Sequence, residues 1–258
     1  MARDDLAPDD MGDMAAGEKF AHSFGASNVT VDERRRLIRR TFAQVARRYD
    51  LMNDLMSMGI HRLWKSAFVA LAQAQPGEIA VDLAGGTGDI AMALAAAGAS
   101  VLVVDPSPEM MRSGQTRSGA ERIGWIAAEG ERLPFASSSI DLLTISFGIR
   151  NATDMGVVLR EIARVLKPGG RFYCLEFSTP DAWLRPLYGL WSRTAIPVLG
   201  AVVSGRRDAY RYLVESIRRF PNQTEFAEMM TSSGLVGVEW CNYSFGIAAV
   251  HSARKPAA

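Results

Sequence analysis

The sequence predicts an α/β domain built on a mostly parallel sheet, and two observations carry that expectation. The run Val81-Asp82-Leu83-Ala84-Gly85-Gly86-Thr87-Gly88-Asp89, followed by Val101-Leu102-Val103-Val104-Asp105, reads as strand, glycine-rich turn, small-residue helix and a second strand ending in a carboxylate. Beyond it, apolar strand-like runs alternate with helix-length segments as far as Phe177, a pattern that specifies parallel strands covered on both faces. With 258 residues, 48% of them hydrophobic, the chain can bury a full core in one domain.

Residues 1–30 mix Asp4, Asp5, Asp9, Asp10 and Asp13 with small residues and show no apolar periodicity, so they are expected to be disordered. From Val31 to Tyr49 an arginine-rich stretch surrounds the apolar stripe Leu37, Ile38, Phe42 and Val45, which predicts a basic amphipathic helix. That helix either lies on an anionic surface or packs over the sheet with a solvated charged face. A second helix, His61 to Ala74, is closed by Pro76-Gly77, and the two form an N-terminal cap over 31–77. Strands follow at Ile79–Leu83, Val101–Asp105, Ile123–Ala127, Ile140–Ile145 and Phe172–Phe177. Helices are expected at Asp89–Ala97, after Pro106, and at Asp154–Leu166 before the turn Lys167-Pro168-Gly169-Gly170. The stretch Trp183–Val203 is apolar and aromatic yet broken by Arg185, Pro186, Arg193 and Pro197, which is wrong for a membrane span. It reads as a helical insertion over 181–220, a lid or a lipid-facing surface. Leu235–Trp240 and Phe245–His251 close the chain as a hairpin.

Composition excludes several classes. A net charge of +1 selects no nucleic-acid partner. Cys174 and Cys241 sit in separate apolar runs and fit neither a disulfide framework nor a zinc site, and His22, His61 and His251 are too scattered to suggest a metal centre. The acidic head argues against a secretory signal and a transit peptide, so the expected compartment is the cytoplasm.

The glycine turn points to a nucleoside ligand. Glycines let a ligand approach the backbone, and Asp105 at the end of the next strand is placed to accept both hydroxyls of a ribose. Dinucleotides and S-adenosylmethionine are both held in this way. The spacing here, Asp82-x-Ala84-x-Gly86-x-Gly88, is not G-x-G-x-x-G, and no basic residue adjoins the turn to meet a pyrophosphate. An ordinary tight strand-to-helix turn is the plain alternative. Parallel topology would bring Gly86, Asp105, Glu129 and Ser146 to one crevice at the carboxyl ends of the strands.

Four blocks carry a resemblance: Tyr49-Asp50-Leu51-Met52-Asn53-Asp54 with Gly59-Ile60-His61-Arg62-Leu63-Trp64-Lys65, Asp82 to Asp89, Thr144-Ile145-Ser146-Phe147-Gly148-Ile149-Arg150-Asn151, and Arg164 to Arg171. Together they resemble the UbiE family of ubiquinone and menaquinone biosynthesis C-methyltransferases over residues 40 to 254. The glycine and Lys-Pro-Gly-Gly turns are general to class I methyltransferases; the first block and Phe-Gly-Ile-Arg-Asn are specific to the family. The resemblance implies a Rossmann-like, seven-stranded sheet with its last strand antiparallel. It implies S-adenosylmethionine as cofactor and C-methylation of a polyprenyl quinol, either 2-polyprenyl-6-methoxy-1,4-benzoquinol or demethylmenaquinol. It also implies peripheral association with the inner membrane surface or with other quinone-biosynthesis enzymes. Carried over residue by residue, Gly86, Thr87 and Gly88 form the cofactor turn, Asp105 holds the ribose and Ser146 flanks the cofactor. Residues 129 and 130 depart from the pattern: similar proteins tend to have Asn or Asp followed by Ala, where this chain has Glu129-Gly130, which puts the contact with the adenine amine in doubt.

Methyl transfer from a sulfonium chiefly requires alignment of the reacting atoms at about 3 Å and exclusion of water. A ring carbon becomes nucleophilic only when a neighbouring hydroxyl ionises, and an ordinary phenol titrates near about 10. Arg150 is the permanent cation placed to stabilise that oxygen, with pairing to an acid at a strand end as the structural alternative. His251 as a base and Tyr210 and Tyr212 as pocket walls rank below it. Rival classes are another class I small-molecule methyltransferase, a nicotinamide-dependent reductase, and a non-catalytic scaffold of a quinone-synthesis assembly.

Overall fold

The computed structural model describes residues 23–24, 27–45, 54, 57, 59–191, 194 and 207–257. The acidic head through His22, the Tyr49–Asn53 block, most of the second half of the Trp183–Val203 insertion and the side chain of Tyr210 lie outside the described residues.

Structure begins earlier than the sequence suggests. Strands β1 (Ser23–Phe24) and β2 (Ser27–Asn28) pair antiparallel and lead into α1 (Val31–Val45). At Thr30, Oγ1 accepts the Glu33 N–H at 3.3 Å while Glu33 accepts the Thr30 N–H at 3.0 Å, a reciprocal cap that fixes the start of α1. Helix α2 (Ile60–Ala72) buries His61, Trp64, Phe68 and Ala72 at helical spacing.

The central sheet follows as β3 (Ile79–Leu83), α3 (Asp89–Ala96), β4 (Ser100–Asp105), α4 (Pro108–Gln115), β5 (Ile123–Ala127), β6 (Ile140–Ser146), α5 (Met155–Val165) and β7 (Leu166–Phe177). It closes with α6 (Arg207–Arg219), α7 (Gln223–Ser232), β8 (Val236–Tyr243) and β9 (Ala248–Arg254). Seven of the described strands lie in the order β5-β4-β3-β6-β7-β9-β8, and β9 runs opposite to the other six. Both the expected class I Rossmann-like sheet and the closing hairpin are thereby observed. Residues 167–170, expected as a turn, bulge out of β7 between the pairs Ile140↔Leu166 and Leu142↔Arg171.

Alternation along the strands divides the core. One face carries Ala80, Val101, Val103 and Leu142 against Trp64, Phe68, Ile90 and Leu94, from α2 and α3. The other carries Val81, Val104, Leu143 and Phe172 against Leu159, Ile162, Phe226 and Met230, from α5 and α7. Because strands buried on both faces need apolar residues at every position, their sequences read as continuous hydrophobic runs. Truncating a fully buried residue such as Leu159 or Ile162 would cost about 2–5 kcal/mol.

Candidate active site

Strand order reverses between β3 and β6, whose neighbours β4 and β7 lie to either side, and the crevice opens there at the carboxyl ends. It encloses about 1130 Å³ of empty space, part of it open to solvent, and its walls include Gly86, Thr87, Asp105, Glu129, Gly130 and Ser146. Every cofactor-site residue named from the sequence reaches this crevice except Gly88.

Asp105 is held from two sides in it. Its Oδ2 accepts the Gly86 N–H at 2.9 Å and its Oδ1 accepts the Ser107 N–H at 2.8 Å, so the glycine turn and the start of α4 are pinned to one carboxylate. Each oxygen keeps a lone pair for another donor. Burial pushes the carboxyl up to about 6; the two backbone N–H groups oppose the rise and Glu129 adds to it. Behind the turn, Asp82 is buried, accepts Thr144 Oγ1 at 2.9 Å through Oδ1, and has no partner at Oδ2 among the described residues. Desolvation lifts it to about 7.

Thr87 is buried, and its backbone oxygen and Oγ1 both accept from Arg117. Asp89 gathers Arg117 and Lys65, the latter at 2.7 Å, and Lys65 also lines the crevice. Gly88 serves packing instead: a Cβ there would meet Trp125 Cη2 at 2.8 Å. Gly130 lies against Val158, where an added Cβ would sit 3.3 Å away, a contact that needs only a slight adjustment. Glu129 is partly exposed and pairs with Arg39 of α1 at 3.0 Å. Ser146 Oγ is buried and has no partner among the described residues.

Helix α1 closes over this edge. Ile38, Arg35 and Arg39 line the crevice, while Arg34 is only 1% exposed and donates to the carbonyls of Ala152 at 2.8 Å and of Asn151 and Arg150 at 3.4 Å. The basic helix is therefore packed over the sheet along this face rather than presented whole to a surface. The hydrophobic stripe could not reveal that one arginine of a consecutive run is buried.

The family-specific Phe-Gly-Ile-Arg-Asn block forms the turn after β6. Ala84 and Phe147 both take left-handed backbone conformations, φ 54° and 56°, and the two strand-end turns touch: a Cβ on Gly148 would stand 2.5 Å from that of Ala84. Arg150 is 3% exposed and does not line the crevice, although Ile149 and Asn151 do. Its Nη1 donates to the Phe147 carbonyl at 2.7 Å and to Glu176 Oε1 at 2.5 Å, and its guanidinium carbon lies 5.5 Å from the centre of the Phe177 ring. The strand-end acid weighed as its structural partner is thus Glu176, which burial raises and Arg150 lowers, with burial the larger effect. Sequence reasoning missed Glu176, yet a lone carboxylate in the apolar run Phe172–Phe177 is itself a signal, since a buried acid needs a partner.

Tyr212 is buried and donates to Asn151 Oδ1 at 2.9 Å. His251 lies away from the crevice on β9: Nε2 is 2.9 Å from the Gln223 carbonyl oxygen and the ring packs edge-on to Phe226, while burial holds it below its ordinary 6.5. It is a core histidine.

Solved structures share this architecture. A SAM-dependent methyltransferase from Thermotoga maritima superposes with a TM-score of 0.61 at 18% identity, covering 84% of this chain and 98% of the other. The cyclase SpnF superposes with a TM-score of 0.57 at 15% identity over 76% and 80% of the two chains, so the fold alone does not assign the reaction. Sequence relatives are much nearer. A protein named ubiquinone/menaquinone biosynthesis C-methyltransferase UbiE from Rubrivivax gelatinosus is 59% identical over 93% of this chain and 95% of its own length. The 2-methoxy-6-polyprenyl-1,4-benzoquinol methylase, mitochondrial, of Caenorhabditis elegans is 44% identical over 90% and 85%. The model of the ubiE/COQ5 methyltransferase family matches residues 28–255, and with these identities the chain belongs to that family.

Proposed function

We propose that this chain transfers the methyl group of S-adenosylmethionine to a ring carbon of a polyprenyl quinol in ubiquinone or menaquinone biosynthesis, with 2-polyprenyl-6-methoxy-1,4-benzoquinol or demethylmenaquinol as acceptor. The observation that carries the reading is the crevice itself, in a chain that matches a methyltransferase family over nearly its whole length: a buried carboxylate, Asp105, fixed by two backbone N–H groups beside a glycine turn. The residues present fit the nucleoside. Asp105 retains lone pairs for both ribose hydroxyls, Gly86 leaves space where a Cβ would meet Met110 at 3.1 Å, and Glu129 and Ser146 border the same space. When bound, S-adenosylmethionine supplies a methyl group on a positively charged sulfur. Thr87 and Gly86 shape the turn beneath it, and α1 limits access of water from above.

The acceptor must be reduced. Oxidation to the quinone removes the hydroxyl whose ionisation feeds electron density into the ring. A methyl-transfer assay on a short-chain quinol and its matched quinone tests this: turnover is expected with the quinol only, and equal rates on the two forms overturn the mechanism.

A polyprenyl acceptor resides in a bilayer, and no helix among the described residues is long and apolar enough to cross one. Attachment instead uses the insertion, where Trp183, Leu187 and Leu190 are 60–64% exposed and Trp183 packs edge-on against the equally exposed Phe245. Liposome flotation is expected to show binding to anionic vesicles that fades with salt where basic residues contribute about 1 kcal/mol each. No binding at low ionic strength would leave these side chains to a protein partner, such as another quinone-biosynthesis enzyme.

A further inference from the structure

The buried ion pair beside the crevice is only half used. Glu176 Oε1 takes both the Arg150 Nη1 bond and the Phe177 N–H at 2.9 Å, which fixes the carboxylate; Oε2 has no partner among the described residues, and neither does Arg150 Nε. Both side chains are at least nine-tenths buried, at 1% and 3% exposure, and unpartnered polar atoms in such a setting are costly unless something meets them. One free acceptor and one free donor on a single bonded pair are the complement of a hydroxyl group, which both donates and accepts.

The location suits an acceptor ring. Glu176 stands at the carboxyl end of β7, one residue beyond Leu175, the partner of Ser146 on β6, so it lies at the same end of the sheet as the crevice, buried behind Phe147 and outside the crevice wall. Phe147 joins the two places: it lines the crevice, its carbonyl accepts from Arg150, and its ring lies 4.7 Å from Phe177, with Trp64 edge-on to Phe177 at 6.2 Å. An aromatic substrate would find aromatic faces beside the free donor and acceptor.

We infer that Glu176 is the proton acceptor of the reaction, receiving the ring hydroxyl's proton at Oε2 while Arg150 Nε holds the resulting oxyanion; this rests on the quinol reading above. The O–H bond breaks, its electron pair stays on oxygen and flows into the ring, and the proton sits on Glu176. The ring carbon forms its bond to the methyl as the methyl–sulfur bond breaks, the electron pair staying on sulfur, which loses its positive charge and leaves as the neutral thioether. The ring carbon then releases its own hydrogen as a proton to solvent, which restores the aromatic ring. The oxygen recovers its proton from Glu176, so one proton is released per turnover and the carboxylate is regenerated. Among the titratable groups near the pair, Cys174 and Tyr212 are raised by burial and Tyr188, beside Arg150, is pushed up to about 12, so all three keep their protons near neutrality, while His251, opposite Cys174 on β9, is turned to the Gln223 carbonyl.

The test compares the full-length parent with Glu176→Gln on two acceptors, an ordinary short-chain quinol and a ring made acidic enough by an electron-withdrawing substituent to be ionised already at the assay pH. With the ordinary quinol, Glu176→Gln is expected to lose at least a hundredfold in kcat while calorimetric affinity for S-adenosylmethionine stays within twofold. With the pre-ionised ring the loss is expected to fall below tenfold, a rescue that mere disruption of packing would not give. Equal losses on the two acceptors, or parent-like turnover of the ordinary quinol, overturn the assignment. If Glu176→Gln does not fold, the parent decides: its kcat is expected to rise with pH for the ordinary quinol and to stay flat for the pre-ionised one, and matching profiles overturn the assignment. A parent inert toward every quinol but able to bind S-adenosylmethionine would instead overturn the proposed function, and this assignment with it.

Discussion

At the end of β4 an acid borders the crevice and is held by backbone N–H groups, whereas at the ends of β6 and β7 an acid and an arginine are sealed against each other beneath aromatic rings. Both arrangements lie on one sheet edge and share the contact between the Ala84 and Phe147 turns. In the first, the hydrogen bonds come from peptide groups whose positions the sheet fixes, so Asp105 is in place before any ligand arrives. In the second, charge is neutralised side chain to side chain, with one backbone bond to each partner, from the Phe177 N–H to Glu176 and from Arg150 to the Phe147 carbonyl. The contrast separates an acid with lone pairs left open toward the crevice from a charge pair enclosed in an apolar seat.

The sharpest way to break the contrast is Arg150→Leu. It leaves Glu176 buried without its cation, and loss of one member of a buried pair is expected to cost about 3–5 kcal/mol of stability, read from urea unfolding at neutral pH. Turnover is expected to drop about a hundredfold, with cofactor affinity little changed. Arg150→Lys should recover the charge but neither the Nε donor nor the planar group beside Phe177, giving partial rescue. A stable and fully active Arg150→Leu would remove the distinction between the two regions.

Asp105→Ala probes the open side and should do the reverse. Cofactor affinity measured by calorimetry is expected to fall tenfold or more, in line with charge-assisted hydrogen bonds of about 1.5–3 kcal/mol. An affinity equal to the parent's would take Asp105 out of the site.

Acidification sharpens the comparison with a smaller effect. Asp105 is raised to about 6 from an ordinary 3.8, so on lowering the pH the folded protein takes up this proton before the unfolded chain does. Its contribution to stability therefore falls as pH rises from about 4 to about 6 and stays low above that window. Binding runs the other way, because ribose hydroxyls donate to the ionised carboxylate: affinity is expected to be full at pH 7.5 and to weaken by up to about tenfold per pH unit below about 6. Calorimetry at pH 5 and pH 7.5 checks the sign, and tighter binding at pH 5 would contradict it.

The parallel strands, the glycine turn and the acid after β4 were legible because periodicity and short-range turn chemistry act through neighbouring residues. Asp82 to Asp89 builds its turn from its own glycines, and Asp105 is placed by the strand it ends. The pairing of Arg150 was only a stated alternative, and its partner, 26 residues further along the chain, had to be supplied by the register of β6 on β7. The same holds for Arg34, whose burial depends on carbonyls 116 to 118 residues away, and for Gly148, which must be small because Ala84 lies against it.

By itself, then, the sequence determined the class of sheet, the family and the glycine-rich turn with its acid at the crevice, all of which follow from local pattern and from blocks of contiguous residues. Only the tertiary structure decided which charges are buried, which arginine latches α1 to the turn after β6, and that Gly88 packs against Trp125 instead of lining the crevice. The physical reason is that the cost of a buried charge or an added Cβ is set by atoms brought near through folding, and distance along the chain carries no record of them.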